Sequence, residues 1–148
     1  MKTKYIIWIL IGFGALNFLP LFAAQLLMLL KPKSQKTKDL LIGKGENWRD
    51  KTHYKSALAF AWADLLIILP LFIWGSIWLV NENAGGYVVY FALGVVSIYF
   101  SILFWVLEKE YTYKAAGCLA YYTYYWGFYL YWGIAAVVFS ALQLIHIY

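Results

Sequence analysis

Long apolar stretches without charge dominate the chain. Three of them lack Asp, Glu, Lys and Arg throughout, namely Tyr5 to Leu30, Asn83 to Leu107 and Ala115 to Tyr148, and another runs from Leu65 to Asn81. About 20 apolar residues suffice for a helix to cross the hydrocarbon core of a bilayer, and these stretches lack the alternation of barrel strands. The pattern predicts an all-α, integral membrane four-helix bundle in a single domain, residues 1–148. Its predicted spans are residues 5–30, 57–80, 87–107 and 118–147.

The basic residues mark one side of this bundle. Of the twelve, eight lie in the first loop, residues 31–56, and Lys109 and Lys114 lie in the third loop, whereas Lys2 and Lys4 lie on the opposite side. Short loops rich in Lys and Arg stay in the cytoplasm. We therefore predict a multi-pass protein with cytoplasmic first and third loops and both termini on the non-cytoplasmic side.

Capping, glycine and proline residues predict where helices begin, turn and kink. Asn47 followed by Asp50 is typical of a helix N-terminus and predicts a helical extension over residues 48–56, with an interfacial loop as the alternative. The short, glycine-bearing turn from Asn81 to Gly86 predicts an antiparallel hairpin of the second and third spans. Pro20 and Pro70 lie inside spans and predict kinks there.

Composition excludes several classes of protein. With 64% hydrophobic and 13% charged residues, the chain has too little charge for a soluble coat or a nucleic-acid-binding domain, and its single cysteine, Cys118, permits no internal disulfide. His53 and His146 fall on opposite sides of the bundle, which excludes bis-His haem ligation within one chain. We predict no metal site and no nucleic-acid partner, and the sequence assigns no cofactor.

Asp64 is the acidic residue that lies well inside a predicted span. Such a group is costly in a membrane and faces the bundle interior, a partner or a water-filled cavity. Counting from Ala57 places its carboxyl about 10 Å below the end of the span. The other spans place polar side chains near that depth, which are Gln25, Ser97, Ser101, Thr123, Tyr124 and Tyr125. We predict that these residues form a ligand-binding site with Asp64; the alternative is a polar layer that only fixes helix packing.

Helical spacing also predicts which faces meet. Asp64 shares a stripe of the second span with Ala61, Ile68, Leu71 and Gly75, and the matching stripe of the third span contains Tyr90, Gly94, Ser97, Ser101, Phe104 and Glu108. Small residues on both stripes allow close approach of the helices.

Aromatic residues crowd the start of the last predicted span. Nine occur within residues 121–132, which are Tyr121, Tyr122, Tyr124, Tyr125, Trp126, Phe128, Tyr129, Tyr131 and Trp132. Such rings can wall a pocket for a flat apolar molecule or hold an ammonium group through cation–π attraction. The alternative is a packing seam with lipid anchors.

The segment from Phe60 to Phe72 resembles the second helix of the EXPERA family, which includes sterol isomerases and the sigma-2 receptor. The shared feature is an acid, here Asp64, followed six residues later by a proline, here Pro70. The resemblance implies ligand binding or isomerase activity, with Asp64 as the position that carries over. It also implies a lumenal first loop, whereas the lysines of that loop favour the cytoplasm.

Three functions are compatible with these features. The first is binding or transport of a small amphipathic or cationic molecule in an intramembrane cavity around Asp64. The second is a membrane-embedded enzyme that acts on a lipid-soluble substrate, with Asp64 as acid or base. The third is a non-catalytic subunit of a membrane complex. The expected partners are the lipid bilayer, a small-molecule or lipid ligand and, because four helices enclose little space, a second copy of the chain or another membrane protein.

Overall fold

The computed structural model describes residues 2–109 and 127–147, and within these ranges it contains helices and short connections but no strand. Helix α1 is Lys2–Leu30, α2 is Gln35–Leu41, α3 is Lys51–Ala63, α4 is Leu69–Val80, α5 is Ala84–Lys109 and α6 is Phe128–Ile147. Residues Asp64–Ile68 form a π-turn that joins α3 to α4. Four helical segments are long and apolar enough to span a membrane, Thr3–Leu30, Lys51–Val80, Ala84–Leu103 and Phe128–His146, as the hydrophobic pattern predicts.

The second span begins earlier than residue 57, because Asp50 caps its first turn. The Asp50 carboxylate accepts hydrogen bonds from the backbone N–H groups of Thr52 and His53, at 2.6 and 2.8 Å. The predicted helical extension is therefore present from Lys51 onwards, although Asp50 rather than Asn47 provides the cap.

Each span contributes one large ring to the centre of the bundle. Phe18 lies 4.9 Å from Trp132 and 5.1 Å from Phe72 between ring centroids, and Tyr90 lies 5.7 Å from Trp132. We call Phe18, Phe72, Tyr90 and Trp132 the four-ring cluster, and all four are buried. Offset and edge-on ring contacts of this kind hold helices together through packing rather than through exclusion of water.

Glycines let the helices approach around this cluster. A Cβ atom added to Gly94 would lie 2.8 Å from the carbonyl oxygen of Gly133, and one added to Gly133 would lie 2.8 Å from that of Gly94. Helices α5 and α6 therefore cross in close backbone contact at these two residues. At Gly14, an added Cβ would lie 2.8 Å from both Phe72 and Trp132, so the missing side chain makes room for two cluster rings.

The predicted stripes are buried in most positions and meet where Gly75 lies against Tyr90, whereas Asp64 faces Gln25 on α1 instead of the stripe of α5. Tyr90, Gly94, Ser97 and Ser101 are all buried on α5, and Ala61 and Gly75 are buried on the second span. Leu71 is the exception, because it is exposed whereas its neighbour Phe72 takes the buried position. The side chains of Phe104 and Glu108 lie outside the described residues.

The two connections that are described differ in complexity. Residues 81–83 form a tight turn between α4 and α5, with Glu82 at a positive φ of 57°, so the predicted hairpin is present. The first loop contains the short helix α2, which Ser34 caps by accepting a hydrogen bond from the backbone N–H of Thr37 at 3.1 Å. The basic loop predicted over residues 31–56 thus contains a short helix that was not predicted from the sequence.

The last span differs from its predicted bounds. Helix α6 begins at Phe128, because Gly127 adopts a positive φ of 68° outside the helix. Within the described residues, the predicted span of residues 118–147 is helical over Phe128–Ile147 and not helical at Gly127. Residues 118–126 lie outside the described part of the chain.

Candidate functional site

Asp64 and Gln25 meet between the first two spans. The Gln25 amide Nε2 donates a hydrogen bond of 3.0 Å to Asp64 Oδ2. Gln25 is buried on α1, whereas Asp64 is half-buried at the end of α3. The pairing of two residues 39 positions apart follows from the antiparallel contact between α1 and the second span. Counting both residues from the same side of the membrane predicted this shared depth.

Asp64 is the first residue of the π-turn in the second span. The backbone N–H of Leu69 donates to the carbonyl of Asp64, five residues earlier, instead of to the residue four positions back. Pro70 follows directly; it lacks an N–H, and its ring would clash with the carbonyl of the preceding turn of a regular helix. The wider turn relieves this crowding. It also begins at Asp64, the one acidic residue inside the four described spans. Widened turns of this type occur frequently at functional sites.

The Asp64 carboxyl has no basic partner within the described part of the chain. The ion pair found there joins Lys4 to Glu82 at 4.0 Å, on the exposed surface. Gln25 is neutral, and its amide is the one hydrogen-bond partner that Asp64 has among the described side chains. Within the described residues, no donor contacts the second carboxyl oxygen, Asp64 Oδ1.

Ser97 and Ser101 bind backbone carbonyls and not Asp64. The Ser97 hydroxyl donates to the carbonyl of Tyr129 on α6 at 3.0 Å, and the Ser101 hydroxyl donates to the carbonyl of Ser97 at 2.8 Å. Both serines are buried, and backbone oxygens occupy their single donors. The structure thus brings Gln25 to Asp64, but it places Ser97 between α5 and α6 and directs the Ser101 hydroxyl to the backbone of its own helix.

Three other residues of the predicted site, Thr123, Tyr124 and Tyr125, lie outside the described residues. Of the predicted aromatic group, the structure describes Phe128, Tyr129, Tyr131 and Trp132. Trp132 is fully buried in the four-ring cluster, and its indole N–H donates to the carbonyl of Leu10 at 3.0 Å. In this described part, the aromatic residues form a packing seam, with Tyr131 exposed at its edge.

Acidic residues of the first loop are engaged in local structure. The backbone N–H of Gly45 and the side chain of Gln35 donate to Asp39 and lower the pKa of its carboxyl. Backbone donation from His53 likewise lowers the pKa of Asp50. Among the described residues, no group of three or more His, Cys, Asp or Glu side chains is arranged to hold a metal ion.

Two features of this region were missed from the sequence. One is the π-turn, for which Pro70 was a signal, although a proline predicts a kink without specifying its form. The other is the hydrogen bond from Trp132 to Leu10, which joins residues 122 positions apart and has no local signal.

Comparison with known proteins extends the resemblance seen around Asp64. The family model described as EXPERA, the expanded EBP superfamily, matches residues 22–141, about four-fifths of the chain. No curated protein and no solved structure matches the chain significantly. The matched range includes Gln25, Asp64, Pro70 and both serines. The chain therefore belongs to the EXPERA family.

Proposed function

We propose that this protein binds a small amphipathic molecule within the membrane and that Asp64 pairs with a cationic or hydrogen-bond-donating group of that molecule. The observation that carries the proposal is the incomplete pairing of Asp64, whose carboxyl contacts the neutral amide of Gln25 and no basic side chain among the described residues. A carboxyl within a membrane is expensive unless a partner compensates it. A bound ammonium or hydroxyl group supplies that partner.

Membership of the EXPERA family supports the same proposal. The resemblance around Asp64 implies ligand binding or isomerase chemistry on lipid-soluble molecules, and both need a carboxyl that a ligand can reach from the bilayer. Transport is a further possibility under this proposal, since a molecule held at Asp64 from one leaflet can leave towards the other.

The test measures binding of a hydrophobic amine, dodecylamine, to purified protein in detergent. We expect Asp64→Asn to weaken binding by about 10-fold or more, because a hydrogen bond to a charged group contributes about 1.5–3 kcal/mol. The matched control is Glu82→Gln, which removes an exposed acid at the turn between α4 and α5. Dodecanol has the same chain without the charge, and its hydroxyl can donate to an Asn carbonyl as well as to a carboxylate, so it should lose much less affinity in Asp64→Asn than dodecylamine does.

Equal loss of amine binding in both variants would show that general surface charge attracts the probe and would refute a role for Asp64. Unchanged binding in Asp64→Asn would refute the proposal directly. Helix content measured by circular dichroism establishes that each variant is folded.

A second candidate function is an enzyme of the isomerase type, which the family resemblance specifically favours. In that case Asp64 transfers a proton to or from a lipid-soluble substrate, and Gln25 positions its carboxyl. This candidate predicts that Asp64→Asn abolishes turnover while binding of the neutral substrate persists. The first proposal instead predicts that Asp64→Asn loses binding of the amine and requires no turnover of either probe.

A further inference from the structure

A shallow, open cleft of about 480 Å³ lies at the start of the second span, and its lining residues precede Asp64 by 5 to 13 positions along the same helix. Its lining consists of Lys51, Thr52, Lys55, Ser56 and Ala59, and we call it the α3 cleft. Lys51 and Lys55 are one helical turn apart, as are Thr52 and Ser56, so two ammonium groups and two hydroxyl groups line adjacent rows. All of these groups donate hydrogen bonds, which suits a ligand that carries several acceptor oxygens.

Among the described residues, no carboxylate pairs with the lysines of the α3 cleft. Asp50, the nearest acid in sequence, directs its carboxylate to the backbone N–H groups of the first turn. Residues 31–56 contain eight basic and three acidic residues, a difference of five, which equals the net charge of the whole chain. The cleft is therefore an anion-attracting feature on the most basic part of the molecule.

The length of the second span places the cleft beside lipid headgroups. Its 30 residues extend over about 45 Å, whereas the hydrocarbon core is about 30 Å thick. The Gln25–Asp64 hydrogen bond aligns α1 with the antiparallel second span. From this contact, α1 continues for 5 residues to its end, and α3 extends 13 residues in the same direction to its start. The start of α3 thus extends about 12 Å past the end of α1. A helix end that extends beyond the hydrocarbon core in this way lies at the depth of the lipid phosphate groups, where lysines can contact them.

Below the cleft, the helix presents a continuous exposed apolar face. Ala59 and Ala63 are exposed and small, and they are followed by Leu66 and Ile67, which are 65% and 56% exposed. Trp62 is exposed at the margin of this face. Along this face of the helix, hydrogen-bond donors come first, small residues next and large apolar residues last. A phospholipid has the same order, with a polar headgroup followed by an apolar acyl chain.

We propose that the α3 cleft binds the phosphate headgroup of an anionic phospholipid, whose acyl chain lies along Ala59, Ala63 and Leu66. Lysine is a common phosphate ligand, and basic residues near an anionic membrane surface are attracted to its headgroups. The site is independent of Asp64 and of whichever molecule binds there.

The experiment uses the full chain in detergent with added phosphatidylglycerol or phosphatidylcholine and measures retained lipid by native mass spectrometry. The test variant is Lys51→Gln with Lys55→Gln. The matched control is Lys36→Gln with Lys44→Gln, two exposed lysines of the same loop outside the cleft. We expect the cleft variant to bind phosphatidylglycerol about 10-fold or more weakly and the control less than about 2-fold, since only the cleft lysines contact the headgroup.

Two further arms identify the ligand and its acyl contact. Inorganic phosphate at millimolar concentration should not displace the lipid, and displacement would indicate a site for free phosphate instead. Ala59→Trp fills the apolar part of the cleft without altering charge, and it should also reduce retention of phosphatidylglycerol. Equal losses in both lysine variants, equal binding of phosphatidylcholine to the wild-type protein, or full retention in Ala59→Trp would each overturn the proposal.

Discussion

The two halves of the second span differ sharply in how they are packed. In α4, Phe72, Gly75 and Leu79 are buried against neighbouring helices, whereas in α3 and the π-turn Ala61 is the one buried residue. The border between the halves is the π-turn with Pro70. The half that carries the aromatic core is therefore distinct from the half that carries Asp64. A tightly packed half can hold the bundle together while the other half keeps a carboxyl within reach of a ligand.

The residue types explain this difference. The α4 half meets the four-ring cluster and the close approach of Gly75 to Tyr90 on α5. The α3 half instead presents alanines and exposed side chains, and its contact with α1 includes the single hydrogen bond from Gln25. In a membrane, packing and hydrogen bonds provide most of the association energy between helices. We therefore expect substitutions in the aromatic core to cost more stability than substitutions around Asp64.

The largest expected effect is the loss of Trp132. Trp132→Ala removes a fully buried ring and the hydrogen bond to Leu10, and it should lower the free energy of unfolding by about 3 kcal/mol or more. Thermal or denaturant unfolding in detergent measures the change. Trp132→Phe keeps a ring but removes the indole N–H, and it should fall between the wild type and Trp132→Ala.

The matched control for this substitution is Trp74→Ala on the exposed face of α4. Trp74 is 58% exposed, so its removal should change stability by about 0.5 kcal/mol or less. Similar losses from Trp132→Ala and Trp74→Ala would show that the buried cluster is not the main source of stability, and the contrast between the two halves would fail.

A smaller effect is expected at the pair of Gln25 and Asp64. Gln25→Leu and Asp64→Leu each leave one buried or half-buried partner unsatisfied, and each should cost about 1 kcal/mol, in the range measured for hydrogen bonds between membrane helices. The double variant removes both partners and should cost less than the sum of the single changes.

This double-mutant cycle also separates two roles of the pair. Strict additivity would mean that the hydrogen bond adds nothing to stability. A coupling as large as the Trp132 effect would mean that the pair is a principal structural element, in contrast to the weakly packed half described above.

The sequence predicted the fold better than the site, for physical reasons. Apolar length determines membrane spans, and the depth of Gln25 and Asp64 follows from counting along antiparallel helices. The direction of the serine hydroxyl groups does not follow from depth, because Ser97 and Ser101 bind backbone carbonyls that any helix offers. The pairing of Gly94 with Gly133 and of Trp132 with Leu10 depends on how α5 and α6 rotate against their neighbours. Periodicity within one helix does not specify such rotations.

The smallest expected effect concerns the cap of α3, at the outer end of the weakly packed half. Asp50→Ala removes the acceptor for the backbone N–H groups of Thr52 and His53 and should lower the thermal midpoint slightly, because the first turn loses its cap. Asp50→Asn keeps an acceptor oxygen but loses the negative charge, so it should lie between the wild type and Asp50→Ala.

The dependence of this effect on pH distinguishes charge from hydrogen bonding. Donation from His53 lowers the pKa of Asp50 in the folded protein below its ordinary value of 3.8. The folded state therefore gains stability from the carboxylate above that value and loses it as the pH falls through the lowered pKa. The advantage of the wild type over Asp50→Asn should thus shrink when thermal unfolding is followed from pH 7 to pH 3. An advantage that is constant across this range would mean that charge at the start of α3 does not stabilise the helix. In that event, hydrogen bonds without any contribution from charge would stabilise the first turn of α3, the turn that leads into the cleft lysines at positions 51 and 55.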